Sequence, residues 1–107
     1  MRNDTIDMSE ASLTLETATS TSEVAILSRV IEPKNGTLPI SAARAWLKLN
    51  FTEHDRALLH VLAVKGQEGS LAPYEQTALD NYRRVGRLLD MMHSKARRSL
   101  KNRGASA

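Results

Sequence analysis

Three histidines, His54, His60 and His93, are the side chains in this sequence best suited to hold a metal or to move a proton near neutral pH. His54 and His60 lie six residues apart, about 240° around a helix, so they cannot share an ion without a ligand from elsewhere; His93 is distant in the chain. There is no cysteine, which excludes a thiolate zinc site, a disulfide framework and a cysteine nucleophile. The close carboxylates Glu53 and Asp55 fit the first turn of a helix, where negative charge complements the dipole. Gly66 and Gly69 are not followed by the Lys-Ser/Thr pair that a phosphate loop needs. The serines sit mostly in the N-terminal stretch or at helix caps, with no strand-turn-helix elbow to present one as a nucleophile. These patterns yield no catalytic residue, no metal ligand and no cofactor site, and the chain is expected to be non-enzymatic.

Basic residues offer a different chemistry. The net charge of +3 is the sum of unlike parts: −4 over residues 1–23, zero over 24–82 and +7 over 83–107. Arg83, Arg84, Arg87, Lys95, Arg97, Arg98 and Lys101 fall within an arc of about 160° on a helix. Such a row can line a phosphate backbone, match an acidic protein, or form a solvated face helped by the helix dipole. Base reading is disfavoured, because no Asn or Gln lies among the basic positions and the helix's inner aromatic, Tyr82, falls on the opposite arc.

The elements that must position this row are helical. Ser20 and Glu23 have capping-box spacing ahead of Val24, Ile26, Leu27, Val30 and Ile31, and Pro33 stops that helix. Pro-Lys-Asn-Gly at 33–36 predicts a loop with a left-handed residue at Gly36. A second helix is expected over Ile40–Leu49 behind Pro39. A third runs from a Thr52 cap over Glu53–Lys65, with Leu58, Val61 and Leu62 as its stripe. A fourth covers about Pro73–Lys101, where Ala78, Tyr82, Val85, Leu88, Leu89, Met92, Ala96 and Leu100 share an arc of about 120°. Gly86 interrupts it, at about 1 kcal/mol relative to alanine unless another helix approaches closely there.

The fold expectation is all-α: a small bundle of about four helices with a long amphipathic C-terminal helix and a disordered N-terminal tail. Residues 1–21 form that tail, 22–102 the single domain, and 103–107 a disordered end. About 28 helical residues span roughly 42 Å, longer than the roughly 30 Å body. Part of the last helix should therefore overhang, carrying Ala96 and Leu100 as an uncovered apolar stripe. The acidic N-terminus is unlike a secretory signal, and no apolar run approaches the roughly 20 residues needed to cross a bilayer. With no cysteine, a soluble, cytoplasmic protein without a membrane partner is expected.

Residues 38–102 also carry a series of short motifs. They are Ala42-Ala43-Arg44, Leu49 and Phe51 before Asp55-Arg56, Gly69 and Leu71 before Pro73, then Leu79-Asp80-Asn81-Tyr82 with Val85-Gly86 and Leu88-Leu89. Ser94-Lys95-Ala96-Arg97 and Ser99-Leu100-Lys101 complete the order. In this order the chain resembles a small bacterial all-helical protein family of unassigned function, with the segment from Leu79 to Lys101 the most specific. The resemblance implies a helical domain without catalytic residues. Through neighbouring genes for His-Asn-His nucleases, it also implies an accessory or neutralising partner of a nuclease. Leu38 and Ala72 stand where that family places Ser or Thr caps, each loss worth about 1 kcal/mol.

The functional expectation is a helical protein-interaction module using the fourth helix. Tyr82, Val85, Leu89 and Met92 are its packing anchors and Arg83, Arg87, Arg97 and Arg98 its electrostatic guides. A nucleic-acid-binding accessory factor using the same arginines is the alternative, and a structural homodimer through that helix the third reading.

Overall fold

The computed structural model describes residues 20–105, so the expected tail lies, but for its last two residues, outside the described part. Four helices form: α1 (Glu23–Ile31), α2 (Ile40–Leu47), α3 (Glu53–Gln67) and α4 (Pro73–Asn102). Among the described residues there is no strand, and no helix is long and apolar enough to cross a membrane.

Local chemistry sets each boundary. Ser22, not Ser20, caps α1: its hydroxyl accepts the Ala25 N–H at 3.2 Å, while the Ser20 hydroxyl accepts the Ser22 N–H. Glu23 then falls in the first turn, where its charge complements the dipole without forming a box. Pro33 removes the next donor and disfavours the helical conformation for Glu32. Glu32 accordingly turns left-handed at φ 53° and returns its N–H to the Ser28 carbonyl. The left-handed position expected at Gly36 is therefore at Glu32. Gly36 is required for a different reason, since a Cβ there would stand 2.7 Å from the Arg98 carbonyl carbon.

Helix α2 enters from Pro39 with no side-chain cap and ends two residues earlier than expected, as the Lys48 and Leu49 amides close onto Ala45 and Trp46. Thr52 caps α3 as the sequence indicates, accepting the Asp55 N–H. Ala72 offers α4 no side-chain acceptor, but the Glu75 carboxylate accepts the Ala72 N–H at 2.9 Å and supplies half of a capping box. At the far end Gly104 is left-handed (φ 71°), with its N–H on Lys101 and the Ala105 N–H on Leu100. That Schellman ending brings Ala105 onto the core.

The thirty residues of α4 extend about 45 Å and act as a spine. Each of the three shorter helices packs on α4, and none packs on another. Helix α1 runs parallel to it, with Val24 and Leu27 beside Arg84 and Leu88, and the Ile31 carbonyl accepting a hydrogen bond from Lys95 Nζ at 2.7 Å. The chain then crosses the C-terminal end of α4, and α2 and α3 return along another side.

The expected overhang does not exist. Ala96 and Leu100 are among the best-buried side chains, packed with Ala43 of α2 and flanked by Leu38, Ile40, Trp46, Leu47 and Ala105. The chain from 32 to 47 reaches the far end of the spine and covers it, so the body is as long as its longest helix. The same crossing orders the C-terminus beyond residue 102. Arg103 Nε donates to the Leu38 carbonyl at 2.8 Å, and Arg103 is thus part of the domain.

Candidate interaction surface

The stripe of α4 that the sequence singles out divides into a closed part and an open one. Tyr82 lies half-buried, its ring meeting Phe51 edge-on at 5.8 Å between centroids, and its hydroxyl donates to Asp55 Oδ1 at 2.7 Å. Asp55 also accepts from the Thr52 hydroxyl, so one carboxylate locks the α3 cap and pins α3 to the spine. That hydrogen bond, with desolvation second, raises the Tyr82 phenol above its ordinary value. Leu89 and Met92 are half-buried. Val85 is 45 % exposed.

Val85 floors a groove. A hollow of about 390 Å³ is lined by Phe51, Asp55, Ala78, Asn81, Tyr82 and Val85. A second, of about 290 Å³, is lined by Val24, Leu27, Arg84 and Leu88 together with Asn81 and Val85 again. The two hollows share Asn81 and Val85, so they are one furrow between α1 and α3. It exists because those helices touch the spine and not each other.

The helices beside the furrow are apolar on more than their inner sides. In α3 the inner side is Leu62, fully buried, with Leu59, Ala63 and Gly66 half-buried around it. Leu79 of α4 reaches within 3.5 Å of where a Gly66 Cβ would stand. The stripe expected from Leu58, Val61 and Leu62 is thus split, because Leu62 faces inward while Leu58 and Val61 are 40 % and 51 % exposed. Ala57, Val61 and Val64 follow one another at helical spacing on this outer side. Helix α1 repeats the pattern with Ile26, Leu27 and Val30 exposed. Between the charged ends of α3 the segment Ala57–Val64 thus exposes apolar side chains on the side that α4 does not cover.

Two further contacts frame the open end. Lys65, in the last turn of α3, is paired with Glu75 in the first turn of α4. The Ala72 N–H first, and then Lys65, hold the Glu75 carboxyl below the usual carboxylate range; its hydrogen bond in turn raises the Lys65 ammonium. Tyr74 stands exposed beside them.

The basic row has a different fate from residue to residue. Arg83, Arg84, Arg87, Arg97, Arg98 and Lys101 are exposed on the outer face of α4, and the Lys65–Glu75 pair is the one ion pair among the described residues. Lys95 leaves the row: it is buried and holds the C-terminal carbonyl of α1. Ser99, fully buried, accepts the Leu38 N–H at 3.0 Å and donates to the Lys95 carbonyl. Asn102 Nδ2 donates to the Gly36 carbonyl, and Arg103 Nη2 to that of Thr37. His93 Nε2 donates to the Leu49 carbonyl at 2.7 Å, fastening the exit of α2. Periodicity alone missed these roles, since apart from the local Ser99–Lys95 bond each partner is a carbonyl or amide more than forty residues away. Gly86 is not a close-approach point, as the nearest atom to a Cβ there is Phe51 Cε2 at 4.0 Å.

No protein-family model, curated protein or solved structure matches this chain.

Proposed function

We infer that the chain is a non-enzymatic, cytoplasmic helical interaction module, an accessory or neutralising partner of another protein such as a nuclease. The observation that carries this reading is the outer apolar side of α3 and α1, together with the furrow floored by Val85. Burying large aliphatic side chains of this kind releases about 1.5–3 kcal/mol each, and this chain leaves a group of them in water. The resemblance to a helical family associated with His-Asn-His nucleases points to the class of partner.

The test is affinity capture of tagged full-length protein from lysate, with and without nuclease treatment, in parallel with a Val85→Asp variant. A protein captured after nuclease treatment by the wild type, and lost in the variant, supports the module. Material lost on nuclease treatment alone contradicts it and favours the second reading, a nucleic-acid accessory factor. That second reading rests on six exposed basic residues along one face of α4, which among the described residues have no acidic partner in ion-pair range. It requires affinity that falls steeply with salt, whereas apolar docking is nearly insensitive to it.

A further inference from the structure

We propose that the outer side of α3, with the furrow beside it, is where two copies of this chain meet. The proposal rests on the interaction-module reading and names the partner. Residues 57–64, Ala-Leu-Leu-His-Val-Leu-Ala-Val, contain no Asp, Glu, Lys or Arg, although half of their circumference faces away from α4. A twofold contact sets each surface against itself, so any excess of one charge would repel its own copy. This stretch has none; Lys65, the next residue, is paired with Glu75, and Arg56 borders the other end. The outer face of α4 is the opposite case, since six exposed cations against Asp80 and Asp90 cannot pair with a second copy of themselves. Charge therefore selects α3 over α4 for self-association.

The area is of the right order. Leu27, Leu58, Val61, Val64, Tyr74 and Val85 are each between 37 % and 77 % exposed. With roughly 100 Å² for a free Val or Leu side chain and roughly 200 Å² for Tyr, they leave on the order of 350 Å² of apolar surface per copy. Apolar groups make up about two-thirds of a homodimer interface, so two copies would bury roughly 1,100 Å² in all, just above the roughly 1,000 Å² that a specific interface needs. The need is there too. Among the described residues the buried apolar side chains are only Ala43, Leu62, Leu79, Ala96 and Leu100, a thin core that pairing α3 with its copy would thicken at its open end.

Light scattering on the full chain over a range of concentrations tests this. The expected result is twice the 11.8 kDa chain mass. Val61→Asp should return the single mass with unchanged far-ultraviolet dichroism, and Arg98→Glu, on the outer face of α4, should leave the doubled mass intact. Val64→Lys on the same face replaces Val61→Asp if that variant loses helicity. A wild type of single mass at its highest soluble concentration overturns self-association. The interaction-module reading then survives only if capture of another protein depends on Val61. A doubled mass that neither α3 variant reduces overturns the assignment of the surface.

Discussion

The two ends of α4 are built differently. At the C-terminal end Lys95, Ala96, Ser99 and Leu100 are buried, and polar groups of this segment bond to backbone of the incoming chain at Ile31 and Leu38. Around Tyr74, Ala78 and Val85 the same apolar stripe is half covered, and α3 is held to it by the close approach of Leu79 to Gly66, one tyrosine–aspartate bond and one ion pair. The closed end has fixed donors and acceptors at defined places, which specify a unique fit. At the open end apolar area exceeds what its own chain covers. The contrast shows that one amphipathic helix can be fully covered at one end and left partly open at the other, and that amphipathicity alone does not say which end is which.

That contrast is most sharply broken at the closed end. Leu100→Ala, at a site 1 % exposed, should cost about 3 kcal/mol in urea unfolding, within the usual range for such truncations. Ser99→Ala comes next: it leaves the buried Leu38 amide without its acceptor, and a loss of about 2 kcal/mol is expected, with faster hydrogen exchange at Leu38. Gly86→Ala lies between the two ends and adds only an ordinary contact with Phe51, so thermal unfolding should show a gain of about 1 kcal/mol. The smallest effect concerns Tyr82. Its phenol is raised in the folded chain, so the stability it contributes is complete below the unfolded tyrosine value of about 10 and is lost as pH rises through the folded value. Ultraviolet titration should show one of the two tyrosines ionising late, and Asp55→Asn should bring it back toward the ordinary value.

Much of the fold can be read from the residues. Thr52 with Asp55, Pro39, Pro73 and the long stripe of α4 carry local signals, and each of those helices starts where its cap or proline indicates. Gly104 after Lys-Asn-Arg is also a legible stop signal, and it explains why the domain continues to Ala105. What periodicity does not carry is which copy of an apolar face is covered. In α3 both sides are apolar, so Leu58, Val61 and Leu62 look alike in sequence and separate only when α4 takes Leu62. Lys95 reads as one more surface cation, because its carbonyl partner is brought to it by the crossing of the chain after Pro33. The overhang expected at Ala96 and Leu100 is closed by the chain from 32 to 47, while Val85, one of the expected anchors, is exposed beside the outer side of α3.

The most direct test of this division is hydrogen exchange of the wild-type chain at low and high protein concentration. The amides of Lys95–Leu100 and of Leu38 should exchange slowest and at the same rate in both samples, while those of Ala57–Val64 should slow as concentration rises. Protection of Ala57–Val64 that already equals that of the closed end and does not change with concentration would contradict the account.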